Sequence, residues 1–235
     1  PPFVKKAVYV EMGKEQARMY AEMKNDFLTS LEVQDGSTRT SIAELAITKA
    51  LRLQQIVSGH LRVESGVEGG EVQTLKIKDN PRKIALHNQL EVIAPYHKAI
   101  VWAVFKDNYE DIKEVCDKLK LQYAELHGSI KDREAQIEMF NHSDKCRVLI
   151  GHPGSGGIGV NLVAASYSIF YFRNFSLEFD IQAEARNYRG GSNIHEKITR
   201  IDLVCKDTID EIVMKALANK TAISDKVLRD SMGAI

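Results

Sequence analysis

From residue 98 onward, short apolar runs alternate with stretches of helical periodicity. The segment 98–105, KAIVWAVF, is rich in β-branched and aromatic residues and predicts a strand. Residues 108–119 then place Ile112, Val115, Cys116 and Leu119 at helical spacing. The alternation repeats as strand 123–128 and helix 131–141, then strand 147–150 and a glycine-rich loop. Strand 167–172 leads to helix 176–189, and strand 198–205 leads to a closing helix. Near-continuous apolar strands separated by helices predict a parallel sheet covered on both faces. Five or more strands are expected, with 147–150 in the interior and the glycine loop at the C-terminal edge of the sheet.

The first 97 residues follow another pattern. FVKKAVYVEM reads as a strand, and a helix is expected over 14–28. Residues 41–59 give the clearest helix of this region, with Ile42, Leu45, Ala46 and Leu53 on its apolar face and Gly59 past its end. A glycine-centred hairpin is expected over 61–75, and a helix with proline in its first turn over 81–93. The expected division is a mostly helical lead-in (1–97), an α/β body (98–206) and a closing C-terminal helix (207–235).

Composition narrows the class. Of 235 residues, 44% are hydrophobic and 27% charged, which fits an ordinary globular chain. Lysine plus arginine equals aspartate plus glutamate at 32 each, so any nucleic-acid contact must come from a local patch. Cys116, Cys146 and Cys205 are odd in number and lack metal spacing. Buried free thiols in a reducing, intracellular compartment are expected, and no metal site. No apolar run reaches membrane-spanning length and no signal peptide is visible, so no membrane partner is expected. The first residue is Pro1 rather than methionine, which fits a piece of a longer protein.

The loop GHPGSGGIGVNL (151–162) carries five glycines between 151 and 159. Residues 154–159 spell G-x-G-x-x-G, and Asp180 follows at a distance that suits a dinucleotide fold. That reading requires the glycines after the first strand and the acid after the second. Here the loop follows the third strand of the body, and Asp180 falls inside a helical stretch. A P-loop would need Lys-Ser or Lys-Thr after the last glycine, where the chain has Val160 and Asn161. A tight turn accounts for one or two glycines, not five. So many beside a strand's end point to close backbone approach to a ligand, with exposed N–H groups available for phosphate oxygens.

The stretch QAEARNYRGGS (182–192) is the second candidate. On a continuous helix Gln182, Arg186 and Arg189 lie within about 60° of one another. Ile181, Ala185 and Tyr188 would form the adjacent anchoring stripe. An isolated arginine pair usually marks a solvated face, but this one lies within thirty residues of the glycine loop. Both elements follow strand ends, and both are expected at the C-terminal edge, where ligands of parallel sheets gather. Asp210 and Glu211 resemble a magnesium-binding acidic pair. They sit instead in Thr208-Ile209-Asp210-Glu211, the pattern of a capping box opening the last helix.

The order of these pieces resembles the C-terminal RecA-like lobe of superfamily-two helicases, above all the Swi/Snf-type ATP-dependent DNA translocases. Gln182, Ala183, Arg186, Arg189 and Gly191 match that family's motif VI. Gly156, Gly157, Gly159, Asn161 and Leu162 match the core of motif V. His127-Gly128, Arg133 and Phe140-Asn141 fit the preceding segment, and residues 51–59, the 81–93 helix and 207–220 resemble the flanks. Tyr188 stands where the family has histidine, Ser192 where glutamine is common, and His152-Pro153 replaces a serine/threonine stretch. The chain resembles a divergent branch.

The resemblance implies a RecA-like fold and half of a two-lobe motor. ATP and Mg²⁺ would be held chiefly by an N-terminal RecA-like partner lobe, whose P-loop lysine and metal carboxylate this chain lacks. Neither would be bound tightly by this chain alone. Arg186 and Arg189 would act as arginine fingers, and Gln182 would orient the γ-phosphate or the attacking water. Gly157, Gly159 and Asn161 would contact nucleotide. His152, Ser155, His127 and Lys106 would meet the backbone of DNA, expected to be duplex. The alternative expectation is a non-catalytic nucleic-acid or partner-binding module on the same fold.

Overall fold

A computed structural model of the chain describes residues 1–33, 39–64, 72–155 and 160–232. Its lead-in comprises β1 (Phe3–Val10), α1 (Lys14–Val33), α2 (Arg39–Ser58), the strands β2 (His60–Glu64) and β3 (Val72–Lys76), and α3 (Pro81–Ile93). The body continues with β4 (Lys98–Trp102), α4 (Lys106–Lys118), β5 (Gln122–Leu126), α5 (Arg133–His142) and β6 (Cys146–Gly151). It closes with β7 (Ala165–Phe170), α6 (Leu177–Asn187), β8 (Ile198–Cys205) and α7 (Ile209–Met232).

The main sheet has six strands in the order β1-β8-β7-β4-β6-β5. Every neighbouring pair in it is parallel. The expected RecA-like sheet is therefore present, with the 147–150 strand inside it. Period-two alternation divides its side chains between two cores. Ala99, Val101, Val148 and Ile150 face α3 and α4, packing on Leu86, Leu90, Ile112 and Val115. Ile100, Trp102 and Leu149 face the opposite side with Phe140 of α5 and Ala183 of α6. A third cluster joins α1, α2 and α7 through Tyr20, Ile56, Val57, Ile209 and Val213.

The lead-in does more than cover the sheet. β1 pairs with β8 along its whole length, from Phe3 opposite Ile198 to Val10 opposite Cys205. The sheet is thus assembled from both sides of residue 97. β2 and β3 form the expected antiparallel hairpin, whose connection lies outside the described residues. Ile42 and Leu45, read as part of the α2 face, also have side chains outside that description.

Polar contacts fasten the hairpin to α4. His60 Nε2 lies 2.7 Å from Asp111 Oδ2, and Lys76 Nζ lies 3.2 Å from Asp111 Oδ1. Lys76 and Lys83 also hold the Glu114 carboxyl down to about 2. Gly59 enters β2 at a φ of +98°, as its place past a helix end requires.

Arg82 closes the body from within. Its guanidinium donates to the Tyr171 carbonyl at 2.7 Å and the Leu203 carbonyl at 2.6 Å, and it pairs with the Asp210 carboxylate. Asp210 Oδ2 also accepts the Cys205 N–H at 2.9 Å. Thr208 Oγ1 accepts the Asp210 N–H at 3.2 Å, so the threonine caps α7 as the sequence implied. Asp210 rather than Glu211 makes the backward reach, and its carboxylate is committed to Arg82 instead of a metal ion.

All three cysteines are free and buried. Burial pushes the Cys116 thiol up to about 12 and the Cys205 thiol to about 11. No described helix is long and apolar enough to cross a membrane.

Replacing Arg82 by alanine strands two carbonyls and one carboxylate in the interior. Arg82→Ala is expected to cost about 3–5 kcal/mol of unfolding free energy. Urea denaturation checks this, and a loss below about 1 kcal/mol would show that water or a neighbour replaces the guanidinium.

Candidate functional site

β6 and β7 flank β4 and run in the same direction, so the chain between them must return from the C-terminal to the N-terminal ends of the strands. Parallel crossovers usually use a helix for this return. Residues 152–164 make it in thirteen residues, with no helix among those described. Gly157 and Gly159 of this loop lie outside the described residues.

The near leg sits at the C-terminal edge. His152 N–H donates to Leu126 O at 3.0 Å, and His152 Nδ1 accepts the Gly154 N–H at 3.0 Å. An accepting Nδ1 places the ring proton on Nε2. Burial, and then the neighbouring His127, lower the His152 pKa below the usual imidazole value. Ser155 N–H donates to His152 O at 3.0 Å, while Arg133 donates to Ser155 O at 3.3 Å. Lys106, exposed at the start of α4, shares this edge.

His127 lies behind the edge rather than on it. Its ring is buried, stacks on Tyr109 with centroids 4.2 Å apart, and places Nε2 2.9 Å from Glu125 Oε2. Of the four residues expected to meet nucleic acid, it is the one already committed to the interior.

The far leg is tied to the other candidate segment. Leu162 N–H donates to Arg186 O at 3.0 Å, and Arg189 Nη1 donates to Val160 O at 3.2 Å. Asn187 Nδ2 reaches Ala165 O, at the first residue of β7, at 3.2 Å. Asn141 Nδ2 donates to Asn161 O at 3.0 Å, and Asn161 Oδ1 accepts the Val163 N–H at 3.2 Å. The glycine loop and the arginines do meet, but not where the sequence placed them. The arginines lie toward the N-terminal ends of the strands, because α6 runs antiparallel to β7 and carries its last residues back.

The helical face is also corrected. α6 ends at Asn187, and Tyr188 has left helical geometry at φ −100° and ψ 83°. A 100° wheel therefore does not reach Arg189. Ile181 and Tyr188, expected as anchors, are 55% and 43% exposed, whereas Ala183, Arg186 and Asn187 are buried. Charge sets this rotation. Arg200, buried in β8, binds Asp180 Oδ1 at 2.9 Å and Asp202 Oδ1 at 3.0 Å, and also pairs with Glu184. Arg173 adds a contact to Asp180 at 2.9 Å. Asp180 and Glu184, one turn apart, turn their side of α6 to the sheet and send Ile181 outward. Asp180 is thus an ion-pair anchor, not a ribose ligand.

Arg186 and Arg189 form a cationic pair. Burial and then the Arg189 charge lower the Arg186 pKa from the usual guanidinium value. Arg189 is exposed. Gln182 Nε2 donates to Glu178 Oε1 at 2.8 Å on the same helix. The sequence reading missed Asn187, the buried residue that fixes this end of α6. Its signal was a polar residue sharing a helix side with Asp180 and Glu184.

Residues 82–191 match the helicase conserved C-terminal domain family. Over that segment the chain is similar to a helicase C-terminal domain. An uncharacterized ATP-dependent helicase of Mycoplasma genitalium is 26% identical over 94% of this chain and 20% of its own length. The chromatin-remodeling ATPase INO80 of Arabidopsis thaliana is 28% identical over 68% of this chain and 10% of its own length. This chain therefore spans a fifth or less of these two relatives.

The crystal structure of the C-terminal part of the Fun30 ATPase domain superposes with a TM-score of 0.75 at 18% identity, covering 92% of this chain and 89% of that one. A Sulfolobus solfataricus SWI2/SNF2 ATPase core in complex with dsDNA gives 0.73 at 21% identity, covering 95% and 45%. These likenesses establish the shared fold.

Gly151 is where the loop departs from the sheet, and a Cβ there would stand 2.7 Å from Trp102 Cζ3. Trp102 is buried and donates to Ser168 Oγ at 3.0 Å, so it has little room to move. Gly151→Ala is expected to cost about 1–3 kcal/mol through overpacking. Thermal melting measures it, and an unchanged melting temperature would show that Trp102 repacks freely.

Proposed function

We propose that this chain works as the C-terminal motor lobe of an ATP-dependent DNA translocase or helicase, within a longer protein or with a separate N-terminal lobe. One observation carries the proposal. The 152–164 crossover is bonded at one end to the C-terminal edge of the sheet and at the other to the segment bearing Arg186 and Arg189. A displacement of one edge is thereby passed to the other through a single short piece of chain.

In this reading Lys106, His152 and Ser155 meet the phosphates of duplex DNA, with His127 holding the edge from behind. The far leg, through Asn161 and the arginines, meets the nucleotide, and Gly157 and Gly159 let the backbone approach it. Two neighbouring guanidiniums suit the oxygens of a phosphate group. ATP supplies a phosphoryl group on which negative charge must be stabilised during transfer. Arg189, exposed, reaches toward it; Arg186 supports from a buried position; Gln182 orients from the same helix. No group of His, Cys, Asp or Glu among the described residues fits a metal ion, so in this proposal Mg²⁺ and the phosphate cradle belong to the first lobe.

Two measurements test the reading. In the two-lobe protein, Arg189→Ala is expected to lower DNA-stimulated ATPase by roughly 10³- to 10⁵-fold while leaving the melting temperature in place. Arg189→Lys should stay badly impaired, since lysine keeps the charge but not the planar fork. Undiminished hydrolysis would remove the finger role and leave a non-catalytic binding module. Separately, the 235-residue chain alone is expected to show no ATP turnover above a contaminant control. Steady turnover by it would overturn the half-motor assignment.

A further inference from the structure

β1 is the outermost strand of the main sheet, and no described strand pairs with its outer side. Its inner side is identified by two bonds. Pro2 O accepts the Ile198 N–H at 3.0 Å, and Val10 O accepts the Lys206 N–H at 2.9 Å. In a parallel ladder the N–H and C=O of one residue point to the same side and alternate along the strand. The even-numbered residues therefore bond to β8, and the backbone groups of Phe3, Lys5, Ala7 and Tyr9 point away from the sheet. Lys5, Lys6, Ala7 and Tyr9 are exposed, so neither helix nor loop covers the middle of this edge among the described residues.

A cavity of about 520 Å³ opens beside the same residues. Lys5, Lys6 and Ala7 form one wall, Arg173 stands within, and Met214 and Leu217 of α7 supply apolar surface. Its charge is uneven. Arg200 is consumed by Asp180, Asp202 and Glu184, and Lys5 lies 2.6 Å from Glu184. Lys6 has no ion pair among the described residues, which leaves a positive rim beside an unpaired backbone.

We infer that this edge takes up an extended acidic segment of another protein chain, which adds as a seventh strand along β1 and places acidic side chains by Lys6. Main-chain bonding supplies the affinity in such strand addition, and alternate side chains supply the selectivity. The segment's apolar residues would enter the cavity against Met214 and Leu217. A second copy of this chain is a poor occupant. Antiparallel pairing of two β1 strands centred on Lys6 sets like charges directly opposite, which is destabilising, and pairing centred on Ala7 leaves Lys6 without an acidic partner.

The probe is a labelled, end-blocked octapeptide of alternating valine and glutamate, titrated into the 235-residue chain by fluorescence anisotropy. Saturable binding that weakens with added salt is expected. Ala7→Pro deletes one outward N–H while leaving the β8 ladder untouched, and edge strands accept proline in that orientation. It should weaken binding about tenfold without moving the melting temperature. Lys6→Glu, at an exposed position, should abolish binding of the glutamate peptide and admit the valine–lysine counterpart. A backbone N-methylated glutamate peptide should not bind. Absence of saturable binding, equal binding by Ala7→Pro and wild type, or equal binding of the glutamate and lysine peptides overturns the inference. Concentration-dependent dimerisation abolished by Ala7→Pro, without peptide binding, also overturns it and assigns the edge to a second copy.

Discussion

The buried guanidinium of Arg82 is the contact on which the body of this structure depends. It reaches from the first turn of α3 to the carbonyl of Tyr171, just past β7, and to that of Leu203 in β8. Those bonds come from Nη1, and Nη2 pairs with Asp210 at the start of α7. A charged group in such a place carries a heavy desolvation cost, and only several simultaneous acceptors offset it. Arg82 finds three, on three separate segments of chain, and its guanidinium carbon also lies 5.3 Å from the Phe172 ring centroid. The lead-in, the sheet and the closing helix are thereby held by one side chain.

Arg200 performs a related task on the other face. By drawing Asp180 and Glu184 toward β8, it fixes the rotation of α6 about its axis. That rotation decides which residues of the motif are buried and which are presented. Arg186 goes inward, Arg189 stays exposed beyond the helix end, and Ile181 is left on the outside. The geometry of the arginine pair is therefore set by ion pairs that contain neither arginine.

The crossover between β6 and β7 gives the site its two-ended form. A helix in that position would stand as a separate rigid body between the edges. The described residues of this thirteen-residue crossover include no helix; they bind directly to Leu126 and Arg133 at one end and to Arg186, Arg189 and Asn141 at the other. Gly154 shows how crowded the described part of this path is: a Cβ there would lie 2.6 Å from Phe179.

Much of this was legible in the chain itself. Apolar runs of strand length separated by helical periods gave the parallel sheet, because burial on both faces leaves no polar alternation. Pro81, Gly59 and Thr208 marked element ends through local backbone chemistry, which needs no distant partner. The glycine loop and the two arginines were visible as an excess of residue types that packing alone does not explain. Three things were decided only by the tertiary structure. β1 joined the sheet through pairing with a strand nearly two hundred residues away. Asp180 and Glu184 turned α6 against its apolar pattern, because an ion pair with a buried arginine outweighs the burial of one isoleucine. The arginines came to the end of the sheet opposite to the near leg of the loop, because a helix following a parallel strand must carry the chain back. Local patterns record what each segment can form, while long-range charge and strand order determine which face it shows and to what.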